Sequence, residues 1–175
     1  SITCAQVSAR PPGLWRWAEL LPVRKEEFRL TLGEGDTPLL PASRLGSALK
    51  LRHLFIKDES RNPTGSFKAR GVCVAVARAR ELGCREFVIP TAGNAGGALA
   101  FYAARHGVKA HVFMPEDAPR ANKEEVQVSG ADLRLVDGII SDAARLAMEA
   151  ARGKPWFDLS TFKEPYRCEG KKTMG

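Results

Sequence analysis

The 175-residue sequence contains no stretch from which a membrane span could be built. Its one long uncharged run, Phe87 to Ala104, is broken by Pro90, Thr91, Asn94 and three glycines, whereas a spanning helix needs about 20 mainly apolar residues. Strand, turn and helix is the better reading of that run. Cysteine is scarce: Cys4, Cys73, Cys84 and Cys168 stand far apart and form no Cys-x-x-Cys pair. No metal site and no disulfide framework is therefore expected, and a reduced, cytoplasmic setting is. The three histidines, His53, His106 and His111, are isolated on patterned elements and read as packing or surface residues without a role. Ser1 to Arg10 lacks the apolar core and small-residue cleavage site of a secretory signal, and no repeat of fixed period is present. The net charge of +7 invites an anionic partner. Yet Arg10, Arg24, Arg44, Arg61, Arg78, Arg105, Arg134 and Arg152 are spread along the chain, with no basic run interleaved with aromatics. Neither nucleic acid nor a membrane surface is expected as a partner.

With 44% hydrophobic and 27% charged residues the chain can bury a core. Short apolar runs alternate with longer helical patterns from Lys57 onward, the signature of parallel βαβ units. Strands are expected at Leu54–Lys57, Glu86–Pro90, Ala110–Met114, Leu133–Val136 and Trp156–Leu159. Val72, Val76, Ala79 and Leu82 form one helical stripe, stopped by Gly83. Leu99, Tyr102, Ala103 and His106 form another, stopped by Gly107. Pro119 fits the first turn of a third helix closed by Gly130, and Ser141 the N-cap of a fourth closed by Gly153. The expected fold is α/β: a small open parallel sheet with helices on both faces, binding ligands beyond the carboxyl ends of its strands. The first fifty residues, with five prolines and weak periodicity, read as an arm that packs on something else. On that reading Trp15, Trp17 and Leu20 form an exposed apolar patch.

Two segments could carry chemistry. In Asn62-Pro63-Thr64-Gly65-Ser66-Phe67-Lys68-Ala69-Arg70-Gly71 a Pro/Gly turn delivers Ser66 and Lys68 to the start of a helix. A lysine there feels the positive end of the helix dipole, and partial burial favours the free amine needed for a Schiff base. Taken alone it reads as a surface lysine on a helix. The second segment, Thr91-Ala92-Gly93-Asn94-Ala95-Gly96-Gly97, follows a strand and opens a helix, so its N–H groups could face an anion. It could also be a plain βα turn with an Asn cap. Gly170-Lys171-Lys172-Thr173 is no P-loop ending, since Pro165 and Lys172 stand where a glycine and a Ser/Thr are required.

Together with Glu34-Gly35-Asp36-Thr37-Pro38-Leu39, Lys57-Asp58-Glu59-Ser60 and the run Glu164 to Thr173, these segments resemble the fold type II pyridoxal-phosphate enzymes. Within that family the resemblance is to the threonine synthases, and the motifs span nearly the whole chain in order. The resemblance implies pyridoxal 5'-phosphate as cofactor, Schiff-base linked to Lys68, with Lys68 later moving protons on the substrate. It implies that Asn94 bonds the cofactor's ring hydroxyl oxygen and that Ser66 lies beside the cofactor. The loop Thr91, Ala92, Gly93, Asn94 and Ala95 would take the substrate α-carboxylate. Arg167 and Lys57 would meet the phosphate of O-phosphohomoserine, for which a guanidinium fork is suited. The implied reaction is loss of the γ-phosphate followed by addition of water at the β-carbon. A homodimer is the expected assembly.

The family's glycine-rich cofactor-phosphate loop and the hydroxyl partner of the pyridine nitrogen lie in its C-terminal half, and no adjacent glycines follow Gly97 here. The expected layout is an arm and first part of a larger α/β domain in residues 1–62, the small parallel domain in 63–160, and a return into the larger domain in 161–175, with the chain end truncated. Threonine dehydratase or another lyase of the family is the nearest alternative, and a non-catalytic module binding a small anion is the alternative of another class.

Overall fold

A computed structural model describes residues 3–175, so the first two residues of the arm lie outside the described residues. The elements are α1 (Cys4–Ser8), β1 (Leu39–Pro41), α2 (Ser43–Ala48), β2 (Phe55–Lys57), α3 (Lys68–Glu81), β3 (Glu86–Pro90) and α4 (Asn94–Arg105). They continue with β4 (Lys109–Pro115), α5 (Arg120–Val128), β5 (Asp132–Val136), α6 (Ile140–Ala151), β6 (Trp156–Asp158) and α7 (Tyr166–Lys171). Among the described residues no helix is long and apolar enough to cross a membrane.

Four strands form a parallel sheet in the order β5-β4-β3-β6. Alternation along them sorts two cores. Phe87, Ile89, Val112 and Met114 meet α3, α4 and α5 through Val72, Val76, Leu99, Tyr102 and Val126. Val88, Phe113 and Val136 point the other way, onto Ala143 and Ala147 of α6. Each fully buried Val, Leu, Ile or Phe contributes roughly 1.5–3 kcal/mol. Helices therefore cover both faces, three on one side and one on the other. Gly83, Gly107, Gly130 and Gly153 end their helices at φ of 94°, 61°, 76° and 72°, the left-handed region that a Cβ penalises.

Four expectations need correction. The strand near Leu54–Lys57 does not join the parallel sheet; it pairs antiparallel with β1 in a separate two-stranded sheet. Pro119 is the N-cap of α5, not its first turn. Ser141 lies inside α6, whose N-cap is Ile139, and the Asp142 carboxylate accepts from the Ile139 N–H. The arm folds back on the chain itself: Leu14, Leu21 and Val23 bury against Val74 and Ala77 of α3. Trp15 packs there too and donates its indole N–H to the Leu30 carbonyl at 3.1 Å, so only Trp17 and Leu20 of the expected patch are exposed.

Candidate active site

The segment leading to Lys68 turns sharply because Thr64 and Gly65 both adopt left-handed backbone, at φ 62° and 63°. Lys68 is the first residue of α3, and the Ser66 hydroxyl accepts from its backbone N–H at 3.3 Å. The side chain is half-buried, with Nζ 4.4 Å from the Phe67 ring centroid. Burial pushes the Lys68 ammonium below its ordinary pKa, and the nearby charges of Lys171 and Arg167 push it further in the same direction. A larger fraction of free amine at a given pH is the consequence.

Beneath this lysine Arg70, 1% exposed, donates Nε–H and Nη2–H to the two oxygens of Glu59 at 2.7 and 2.8 Å. It also bonds Thr37 Oγ1 at 3.0 Å and both the carbonyl and hydroxyl oxygens of Thr173 at 3.1 Å. Three separated segments are held to α3 by one guanidinium.

The second segment leaves β3 at Pro90. Thr91 Oγ1 accepts from the Gly93 N–H at 3.2 Å, which leaves the N–H groups of Ala92, Asn94 and Ala95 without a partner among the described residues. A Cβ on Gly96 would stand 2.8 Å from Thr91 Cγ2 and 3.0 Å from Val112 Cγ1, so only glycine lets α4 start this close to the sheet. Asn94 Oδ1 accepts from Asn122 Nδ2 of α5 at 3.0 Å.

Arg167 comes from α7. Its backbone N–H donates to Glu164 Oε2 at 3.0 Å and its Nη1 to the Leu159 carbonyl at 2.6 Å. Burial lowers its pKa, with Glu164 opposing. α7 reaches this position because it crosses α3 at two glycines. A Cβ on Gly71 would stand 2.7 Å from the Arg167 carbonyl oxygen, and one on Gly170 2.9 Å from Gly71 Cα.

Lys68, Thr91, Ala92, Gly93, Asn94, Ala95 and Arg167 line one cleft of 280 Å³, with Ile140 and Thr161 on its rim. It opens at the carboxyl end of β3, where the sheet order reverses between β4 on one side and β6 on the other, the place where such sheets bind ligands. Larger clefts of 530 and 490 Å³ lie against β1–β2 and against the arm, away from this edge. Two expected site residues stand apart. Lys57 is committed to the Thr37 carbonyl, which its Nζ meets at 2.7 Å, and Ser66 is turned to the start of α3. Sequence reading missed Asn122 and the effect of Lys171 on Lys68, for which no local pattern exists.

Residues 30–175 match the family model described as pyridoxal-phosphate dependent enzyme. The chain belongs to that family. It is 39% identical over 166 residues to the threonine synthase of Methanocaldococcus jannaschii and 36% identical over 165 residues to that of Methanosarcina acetivorans. Both matches cover 94% of this chain, but only 41% and 40% of the relatives, so the chain spans less than half of their length. Among solved structures, a pyridoxal 5'-phosphate-dependent aspartate racemase superposes with a TM-score of 0.71 at 26% identity, covering 79% of this chain and 44% of that one. The donor set in the cleft fits the family's cofactor. An amine of lowered pKa suits an aldehyde, an amide can meet a ring oxygen, and open N–H groups at a helix start suit a carboxylate.

Proposed function

We propose that the chain is the lysine-bearing part of a threonine synthase, converting O-phospho-L-homoserine and water to L-threonine and phosphate. The observation that supports this most is the shared cleft, in which an amine, open helix-start N–H groups and a buried guanidinium converge. The 39% identity to a threonine synthase supports it from the side of sequence. Bound to Lys68, pyridoxal phosphate would supply an electron sink for charge developing at the substrate's α- and β-carbons.

The chain's own residues do the rest. The N–H groups of Ala92, Asn94 and Ala95 bind the substrate α-carboxylate, reinforced by the dipole of α4. The Asn94 amide would donate to the cofactor's ring oxygen and so help to hold it. The Lys68 amine would take a proton from the substrate α-carbon and return protons along the carbon chain. Lys171 and Arg167 suit it to this work by disfavouring the ammonium form. Arg167 holds the substrate phosphate and stabilises the charge that grows on the departing γ-oxygen. Lys57 does not line the cleft and meets the Thr37 carbonyl with Nζ, so Arg167 is the phosphate-binding group in this reading.

The test is to supply the holoenzyme with O-phosphohomoserine and measure phosphate and threonine. One threonine per phosphate is expected, and Arg167→Met should raise KM with the cofactor still linked to Lys68. Ammonia release from threonine without phosphate release from O-phosphohomoserine would overturn the reading in favour of a dehydratase.

A further inference from the structure

α5 turns one face to the start of α4. Val126 is fully buried in the core. The Glu125 side chain fills the space that a Cβ on Gly97 would need, its Cγ 2.8 Å from that point. Asn122, one turn earlier, donates Nδ2–H to Asn94 Oδ1 at 3.0 Å. Positions 122, 125 and 126 are spaced i, i+3 and i+4, a single helical face. With Val126 and Glu125 seated, the place of Asn122 against α4 is set. Its Oδ1 also lies 4.0 Å from where a Cβ on Gly93 would stand, so this side chain spans the last loop residue and the first helical one.

A primary amide has a donor end and an acceptor end of nearly the same shape, and what holds one end decides what the other offers. In this bond Asn122 gives its donor end, so the Asn94 oxygen is engaged by α5 and the Asn94 nitrogen, without a partner among the described residues, is left to donate. We infer that Asn122 is a positioning residue, whose hydrogen bond locks the Asn94 amide with its donor end toward the cofactor's ring oxygen. This rests on the role given to Asn94 above. Without the lock the amide can rotate and set oxygen against oxygen.

The experiment compares Asn122→Ala, Asn122→Asp, Asn94→Ala and the Asn94→Ala/Asn122→Ala pair in the holoenzyme. It reads the visible absorbance of the bound cofactor and the Kd for pyridoxal phosphate. Asn122→Ala should shift the band in the same direction as Asn94→Ala and weaken binding about 3- to 10-fold, the worth of one neutral hydrogen bond. Asn122→Asp, of the same shape but with an acceptor for a donor, should weaken it more, and it carries the test should the Ala variant fold poorly. The pair should be no worse than Asn94→Ala alone. Effects of the two single variants that simply add, or Asn122 variants with parental band and Kd, would overturn the positioning role while leaving Asn94 in place. If Asn94→Ala itself keeps parental values, the role of Asn94 falls and this inference with it.

Discussion

Gly170→Ala is the substitution whose effect can be followed furthest from the structure. The added methyl would fall inside the Arg70 carbonyl oxygen, 2.8 Å from the Arg70 carbonyl carbon and 2.9 Å from Gly71 Cα, all of them backbone atoms of α3. Carbon atoms rest at about 3.5–4.0 Å, so α7 must retreat from α3 by at least about 0.7 Å. No flexible side chain can yield in its place. Overpacking of this kind costs about 1–3 kcal/mol. The functional loss should be the larger one, because α7 carries Arg167, which is tied to Leu159 and lines the cleft with Lys68. Displacing a binding group by about 1 Å can cost on the order of a hundredfold in rate. Urea unfolding and the kcat/KM for the proposed substrate, O-phosphohomoserine, measure the two effects separately. The reasoning is refuted if Gly170→Ala leaves both at parental values, for then the helix crossing would not place Arg167.

Three further outcomes are expected. Arg70→Met leaves the Glu59 carboxylate with only Thr37 and Asn62 as side-chain donors and should cost about 3–5 kcal/mol in urea unfolding; a loss under about 1 kcal/mol would refute the clasp. Burial alone would raise the Glu59 pKa, but its bonds from Arg70, Thr37 and Asn62 outweigh burial and hold it below the usual carboxylate range. Its contribution is therefore complete above about pH 4.3 and fades as pH falls through the folded-state value, so Glu59→Gln should flatten the acid limb of the stability curve; an unchanged limb would count against it. Lys171→Met removes one of the two charges that, after burial, lower the Lys68 pKa. Borohydride trapping of pyridoxal phosphate on Lys68 should then shift to higher pH, and an unmoved profile would show that Lys171 has no such influence.

What could be read from sequence was whatever repeats at a local period. Glu86–Pro90 is β3 to the residue, because a continuous apolar run bounded by a turn is what a strand buried on both faces requires. The position of Lys68 and of the Thr91–Ala95 loop at helix starts was likewise legible, because a Pro/Gly turn and a glycine-rich turn precede the helical stripes. The rest depends on partners distant in the chain. β1 is only three residues long, with Pro38 before it and Pro41 as its last residue, so nothing in the sequence marked it as the antiparallel partner of β2, and β2 went to the wrong sheet. Leu14, Leu21 and Val23 reach α3 from an irregular chain without periodicity. Asn122 pairs with Asn94 across 28 positions, and only the docking of α5 on α4 brings them together.

The Arg70 clasp bears on time as well as on stability. Its bonds join residues 11, 33 and 103 positions apart, to Glu59, Thr37 and Thr173. Closing the longest of these loops restricts the most chain, so that contact belongs late in folding, after α3 has packed on the sheet. An interaction absent from the transition state leaves the folding rate alone and slows unfolding instead. Arg70→Met should accordingly steepen the escape from the native state in stopped-flow unfolding while refolding keeps its parental rate. That result would make the guanidinium a determinant of how long the cleft lined by Lys68 and Arg167 stays assembled.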